Sequence, residues 1–243
     1  MKNKKIRGKI HWYYAVPVVV GIVAIAIALW PKPVLEGENY IKEQDQKSTD
    51  ELAGTLANRR SAELTAASAN EQMSIYDLFD SYAILGDSRA VRFQNSLDPS
   101  RVMADIGVKI TNIDNYLSTL QSLQPRVIYT FYGLNDIHSN LNGLEGGYEK
   151  IVTDELKKVA EACPQSKIIA LSILPVQNDD AMNEQVAIYN EALKKACEQN
   201  GWTYLDCTDL VHDEYYEPDG EHFSESLYPL LAERMYSAQE DRP

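Results

Sequence analysis

The 243-residue sequence predicts an α/β fold in which a parallel sheet is covered by helices on both faces. Two observations predict it. Segments typical of strands and of helices alternate along residues 76–243, and the strands are nearly continuous apolar runs. Such runs indicate strands buried on both faces, as in a parallel sheet between two layers of helices. We expect functional side chains directly after the strands, because ligands bind outside the carboxyl ends of such sheets.

The predicted strands are short runs that end at glycine, proline or polar residues. Arg126–Tyr132 reads RVIYTFY, and Lys167–Leu174 reads KIIALSIL up to Pro175. Apolar residues, many of them β-branched or aromatic, dominate both runs, as is typical of strands. Three shorter strands are expected at Tyr82–Leu85, Met103–Ile106 and Trp202–Leu205.

The predicted helices carry apolar residues three or four positions apart. Ile113–Leu123 has this spacing and is followed by Pro125, which ends it. Met182–Gln199 is followed by Asn200-Gly201, a common helix stop. Further helices are expected from Arg89–Gln94, over Tyr148–Cys163 and over Ser224–Ala238.

The charge of the chain is strongly polarised. The whole chain has a net charge of −13, yet residues 1–11 contain lysine and arginine and no acid. The remaining body is therefore more acidic than the total, and it would repel the phosphates of nucleic acid. We expect no nucleic-acid partner.

Residues 12–30 (WYYAVPVVVGIVAIAIALW) are predicted to form a transmembrane helix. An uncharged helix of this length spans roughly 28 Å at about 1.5 Å per residue, close to the thickness of the hydrocarbon core. Aromatic residues stand at both ends, and the positive charges all precede it, so residues 1–11 are expected in the cytoplasm. The alternative is a cleaved signal peptide, because Ala24–Ala26 and Ala26–Ala28 resemble cleavage sites.

Residues 31–75 are predicted to be a polar stem between this helix and a folded domain at residues 76–243. The segment begins Pro31-Lys32-Pro33 and is rich in Ala, Glu and Gln, with few apolar residues. The protein is therefore expected to be a single-pass membrane protein with its folded domain outside the cytoplasm. The sequence predicts no oligomeric state.

The three cysteines have no spacing typical of a metal site or of a disulfide framework. We interpret them as packing residues, with a bridge between Cys197 and Cys207 left open. No metal site is predicted.

The first strand is followed by Gly86–Ala90 (GDSRA), which opens a predicted helix. A serine at such a turn has an exposed hydroxyl, and nearby backbone N–H groups can stabilise a developing oxyanion. Ser88 is therefore a candidate nucleophile. The alternative is that Ser88 or Asp87 only caps the helix.

A serine nucleophile needs a base, and His222 is the best candidate among four histidines. It lies in Pro218–Phe223 (PDGEHF), just before the last predicted helix, and Asp219 precedes it by three residues. A turn through Gly220 could direct the Asp219 carboxylate to the imidazole and orient it.

The strongest predicted strand is followed by Gly133–Asp136 (GLND). The side chain of Asn135 could donate a hydrogen bond to an oxyanion. An ordinary Asn/Asp turn is the alternative.

The order of these segments resembles the SGNH/GDSL hydrolase family. Its first block is similar to Gly86–Ser88, its glycine block to Gly107, its third block to Gly133–Asp136 and its last block to Asp219–His222. The similarity extends over roughly residues 80–238.

The resemblance implies a three-layer α/β/α sandwich with a central parallel sheet, of the SGNH-hydrolase or flavodoxin-like type. It implies a triad of Ser88, His222 and Asp219, and an oxyanion hole from the backbone N–H groups of Ser88 and Gly107 and the side chain of Asn135. It implies hydrolysis of an ester through an acyl-enzyme, with no metal or organic cofactor. We expect the partner to be a small-molecule or glycan ester.

Arg89 departs from the pattern, because the family has leucine at that position. An exposed arginine at the rim of the site could bind an anionic or sugar-rich substrate, and a solvated helix residue is the alternative. An α/β-hydrolase elbow fits Gly86–Ala90 less well, because the serine follows the first strand and leaves no room upstream for an oxyanion loop.

The expected substrates follow from the expected location. A domain tethered outside the cytoplasm can reach envelope glycans, and we expect O-acetyl groups on cell-envelope or polysaccharide carbohydrate. The alternatives are an O-acetyltransferase that uses the same triad with a partner as donor, and a non-catalytic binding module.

Overall fold

A computed structural model describes residues 74–239, and these form one parallel sheet with helices on both faces. The strands are β1 (Tyr82–Gly86), β2 (Val102–Ala104), β3 (Val127–Phe131), β4 (Lys167–Leu171) and β5 (Thr203–Leu205). The α-helices are α1 (Ser88–Val91), α2 (Leu117–Leu123), α3 (Leu134–His138), α4 (Gly147–Ala162), α5 (Asp180–Asn200) and α6 (Tyr228–Ala238). The predicted three-layer α/β/α sandwich is confirmed for this part of the chain.

Alternate residues of each strand enter two separate hydrophobic cores. Leu85 and Ile128 face the core that α2, α4 and α5 cover, whereas Ile84 and Tyr129 face the core that α1 and α6 cover. Successive side chains of a strand point to opposite faces, so a strand between two helical layers must be apolar at every position. This is why β1 and β3 are continuous apolar runs, and both are buried throughout.

The strand order is β2-β1-β3-β4-β5, with every neighbouring pair parallel. The chain leaves β1 toward one edge of the sheet and returns to its other side at β3. In folds of this flavodoxin-like order, such a switch point opens a crevice at the carboxyl ends of the strands. Gly86 lies opposite both Ala104 and Phe131, so the segments that follow β1, β2 and β3 meet at this crevice.

Some element boundaries differ from the prediction. The predicted helix over 113–123 is a 3-10 helix at Ile110–Asn115 followed by α2. Strand β4 ends three residues early, because the backbone N–H and carbonyl of Ile173 bond to the side-chain amide of Asn190 instead of to a strand. Local periodicity could not indicate this side-chain contact, which α5 contributes from later in the chain.

The cysteines are free thiols. Cys163, Cys197 and Cys207 are all buried, so the bridge left open between the last two is not formed. Burial raises the pKa of the Cys207 thiol to about 12, which keeps it protonated and unreactive near neutral pH.

The predicted transmembrane segment at residues 12–30 and the polar stem before Ser74 lie outside the described residues. Within residues 74–239, no helix has the length and hydrophobicity needed to cross a bilayer.

Candidate active site

Ser88 is the first residue of α1, directly beyond the carboxyl end of β1. The turn before it is tight: a side chain at Gly86 would overlap Cβ of Ala90 and lie 2.7 Å from the carbonyl oxygen of Phe131. Asp87 is the N-cap of α1, and its carboxylate accepts the N–H of Arg89 at 3.0 Å. The alternative reading of this motif is therefore correct for Asp87, while the Ser88 side chain is left for another contact.

The structure brings Ser88, His222 and Asp219 into one hydrogen-bonded chain. Nε2 of His222 lies 2.9 Å from Oγ of Ser88, and Nδ1 lies 2.7 Å from Oδ2 of Asp219. Ser88 and His222 are 134 positions apart in the sequence, and only the fold brings them together. A carboxylate that accepts Nδ1–H leaves Nε2 free of a proton and able to accept one from the serine hydroxyl.

The Asp219 carboxylate is held in place by the backbone of its own turn. Its Oδ1 accepts the N–H groups of Glu221 and His222, each at 2.9 Å, and its Oδ2 faces the imidazole. The pKa of Asp219 is lowered to about 2, first by the His222 backbone N–H and then by the Glu221 N–H and the imidazole. The side chain is 51% exposed, so it is ionised and hydrated near neutral pH.

Asn135 lies in the first turn of α3, beyond the carboxyl end of β3. Its Nδ2 donates to the carbonyl of Val108 at 3.1 Å, next to Gly107 in the exposed turn after β2. The Tyr116 hydroxyl donates to Asp105 at 2.6 Å on the other side of that turn. The Asn135 amide has two N–H groups and uses one for Val108, so it both anchors the turn and has a second donor available.

Gly133 sets the direction in which α3 leaves β3. Its φ of 140° is a conformation that residues with a side chain rarely adopt, and a side chain there would overlap Ile173. The glycine of the GLND segment is therefore required by the backbone, and it places the following Asn135 beside the turn of Gly107.

Two buried carboxyl groups lie beneath the site, those of Asp136 and of the helix cap Asp87. Asp136 is fully buried, and its Oδ1 accepts the N–H of Ile110 at 3.1 Å. Burial raises the pKa of Asp136 to about 7, and the nearby charge of Asp87 adds to the effect. Burial likewise raises the pKa of Asp87. Both residues belong to the segments singled out in the sequence: Asp136 is the last residue of GLND, and Asp87 is the second residue of GDS.

The expected rim position of Arg89 is wrong. Its side chain is 2% exposed, and all three of its side-chain nitrogens donate to backbone carbonyls. A guanidinium that is buried and hydrogen-bonded in this way cannot meet a substrate in solvent. The sequence could not indicate this, because the acceptors are contributed by Leu174, Pro175 and Glu221, far along the chain.

A second histidine stands at the edge of the site. His138, the last residue of α3, has its Nε2 3.4 Å from Oε1 of Glu221, the residue before His222. Both side chains are partly exposed, so the contact is a surface pair between two site-forming segments.

The acidic and histidine side chains of the described residues are not arranged to bind a metal ion. In the part of the chain from 74 to 239, no three His, Cys, Asp or Glu side chains are grouped so that they could hold an ion. The Asp and His residues at the site hydrogen-bond to each other, to serine or to backbone groups.

A sequence model of the GDSL-like lipase/acylhydrolase family matches residues 86–229, which is more than half of the chain. The chain belongs to this family. The match begins at Gly86, two residues before Ser88, and includes every segment of the site described above. Members of the family hydrolyse esters with a serine, and this chain is accordingly a serine esterase or acylhydrolase. No curated protein sequence matches the chain significantly.

Several solved structures share the fold. A putative acylhydrolase from Bacteroides fragilis is 15% identical with a TM-score of 0.52, and the match covers 65% of this chain and 85% of that one. A GDSL-like lipase from Bacteroides thetaiotaomicron is 15% identical with a TM-score of 0.50, covering 65% and 87%. An α/β hydrolase enzyme from the metagenome of Lake Arreo, Spain, is 17% identical with a TM-score of 0.50, covering 70% and 100%.

Proposed function

We propose that this chain is a membrane-tethered, extracytoplasmic serine esterase that removes O-acetyl groups from cell-envelope or polysaccharide carbohydrate. In the proposal Ser88 is the nucleophile, His222 the general base and Asp219 the residue that orients it. The observation that carries the catalytic assignment is the hydrogen-bonded chain from Ser88 Oγ through both nitrogens of His222 to the Asp219 carboxylate.

Acylation begins with attack of Ser88 Oγ on the ester carbonyl carbon. The hydroxyl proton passes to Nε2 of His222, 2.9 Å away, and Asp219 stabilises the imidazolium that forms. The carbonyl oxygen becomes an oxyanion, for which the proposed donors are the N–H groups of Ser88 and Gly107 and the second N–H of Asn135. As a first helical residue, Ser88 has a backbone N–H without an acceptor inside its helix.

Collapse of this tetrahedral intermediate breaks the bond to the alcohol. His222 returns its proton to the departing oxygen, which leaves an acyl group on Ser88 and a free sugar hydroxyl. A water molecule then gives a proton to His222 and attacks the acyl carbon. The second intermediate releases the carboxylic acid, and Ser88 regains its proton.

Solvent access favours hydrolysis over transfer to a second alcohol. The side chains of His222 and Asp219 are 34% and 51% exposed, so water can reach the imidazole. An acyltransferase would have to exclude water from an acyl-enzyme in this position. The transferase alternative has no comparable support.

The proposed location rests on the sequence. Residues 12–30 are uncharged and apolar, and the cluster of lysine and arginine lies before them. The positive-inside rule then orients the chain with the esterase domain on the far side of the membrane. In sealed right-side-out vesicles, we expect added protease to degrade the domain without detergent; protection of the domain until detergent is added would contradict this orientation.

The proposed chemistry is tested with the full chain in detergent and p-nitrophenyl acetate as substrate. We expect Ser88→Ala and His222→Ala each to lower kcat by on the order of 10⁴-fold or more, because the residues of a triad act as a unit. Ser122→Ala and His212→Ala are matched controls on exposed surface and are expected to keep wild-type activity. Equal activity of wild type and Ser88→Ala would refute the assignment of the nucleophile.

The proposed substrate is tested by comparing acyl lengths and alcohols. We expect faster release from p-nitrophenyl acetate than from the butyrate, and release of acetate from O-acetylated polysaccharide by the wild type but not by Ser88→Ala. A preference for long acyl chains, with no acetate released from polysaccharide, would contradict the carbohydrate proposal and leave the serine chemistry intact.

A further inference from the structure

Arg89 is the neighbour of the proposed nucleophile, yet its side chain turns into the protein. It is 2% exposed, and its guanidinium carbon lies 4.9 Å from the centre of the Phe223 ring. Burial of a guanidinium carries a large desolvation cost unless its N–H groups find acceptors. An apolar side chain at this position would avoid that cost, so the arginine must be explained by what it binds.

The guanidinium binds the two segments that frame the proposed base. Its Nε donates to the carbonyl of Glu221 at 2.9 Å, on the loop of Asp219 and His222. Its Nη1 donates to the carbonyl of Leu174 at 2.6 Å and its Nη2 to that of Pro175 at 3.3 Å, in the segment after β4. One rigid planar group thus joins the start of α1 to two loops that are distant in sequence.

The contact to Glu221 runs beside the contact between the proposed catalytic groups. Ser88 and Arg89 are consecutive, as are Glu221 and His222. The two pairs meet twice, through Ser88 Oγ and His222 Nε2 at 2.9 Å and through Arg89 Nε and the Glu221 carbonyl at 2.9 Å. The second contact therefore limits the separation at which the first can form.

The backbone N–H of Gln177 also donates to the carbonyl of Gly220 at 2.8 Å, but the other charged side-chain contacts of this loop are less able to fix it than Arg89 is. Arg92 pairs with Glu217, and His138 pairs with Glu221, but these side chains are 30–45% exposed. Ion pairs with that exposure are screened by water and contribute little to the energy that holds a loop. The contacts of Arg89 are excluded from water and made by a charged donor, which strengthens them.

We propose that Arg89 is a positioning residue that fixes the loop of Asp219 and His222 against the helix of Ser88. The effect of Arg89 on turnover rests on the proposed function, whereas its effect on the position of the loop does not. Asp87 contacts the same residue through its backbone: the Asp87 carboxylate accepts the backbone N–H of Arg89 at 3.0 Å, which fixes the start of α1 from which the guanidinium extends.

The test compares Arg89→Met and Arg89→Lys with the wild type in the full chain. The methionine fills the space without a donor, and the lysine keeps the charge but offers one nitrogen instead of three. Arg126→Met is the matched control, because Arg126 pairs with Asp80 at the opposite end of the sheet and is exposed. Denaturant unfolding establishes that each variant is folded at the assay temperature.

Two quantities are measured: the steady-state kinetics with p-nitrophenyl acetate, and the amide hydrogen exchange of the loop. We expect Arg89→Met to lower kcat by about 100-fold with KM nearly unchanged, since a small displacement of a catalytic group has that effect. Amide hydrogen exchange of residues 217–223 is expected to accelerate in the same variant. Arg89→Lys is expected to recover part of both, and Arg126→Met to change neither.

Wild-type kcat and exchange in Arg89→Met would overturn the proposal. So would a raised KM at constant kcat, which would make Arg89 a substrate contact, or a lowered kcat with unchanged exchange. If the wild type does not hydrolyse the ester, the proposed function fails, and the exchange of residues 217–223 alone decides whether Arg89 fixes the loop.

Discussion

The most informative single change is Asp136→Asn, because it removes the ionisable group of a buried acid and keeps the shape of the side chain. Asp136 is fully buried beneath the site, with Oδ1 on the N–H of Ile110. Its Oδ2 has no hydrogen-bond partner among the described residues. Asparagine keeps the size and the accepting oxygen and cannot ionise. The ionised carboxylate should therefore destabilise the folded state in a way that the variant does not.

The sign and size follow from the raised pKa. Between about pH 4 and pH 7 the folded state holds a proton that the unfolded state has released, so the free energy of unfolding falls as pH rises and levels off above that range. Below this range both states are protonated. With the folded pKa at about 7, the loss between about pH 5 and pH 8 is on the order of 2.5 kcal/mol.

The assay is urea unfolding of wild type and Asp136→Asn at a series of pH values, followed by circular dichroism. We expect the difference in unfolding free energy between the two proteins to shift by that amount in favour of the variant. Asp154→Asn is the control, because its exposed carboxylate pairs with Lys150 and its pKa is lowered, so it is ionised throughout the range. Parallel pH curves for wild type and Asp136→Asn would refute a raised pKa.

Three further predictions concern the site. Asp219→Asn should lower kcat by at least about 100-fold with little effect on folding, because an amide no longer fixes the tautomer of His222; ester turnover and unfolding measure the two effects. Asn135→Ala should lower kcat by about 100-fold, and an unchanged kcat would exclude its side chain from oxyanion stabilisation. Gly133→Ala should destabilise the fold by at least about 1–3 kcal/mol in urea unfolding, since alanine is strained at its φ of 140° and overlaps Ile173.

The sequence alone determined the fold class and the segments of the site. Strands buried on both faces must be apolar at every position, so β1 and β3 are visible without any tertiary information. The polar residues after those strands had to meet, because parallel strands carry their carboxyl ends to one edge. Ser88 and Asn135 could be selected on that ground, and the GDSL-like family match includes both.

Other features depended on contacts that no local pattern contains. Whether an arginine is a surface or a buried residue is decided by acceptors 85 to 132 positions away, and for Arg89 these made the rim assignment wrong. The early end of β4 at Leu171 was decided by an asparagine on α5. The raised pKa of Asp136 required knowing that the packed domain excludes water from it. Sequence patterns report the neighbours along a chain, whereas burial and pKa are set by neighbours in space, and only the tertiary structure assembles those.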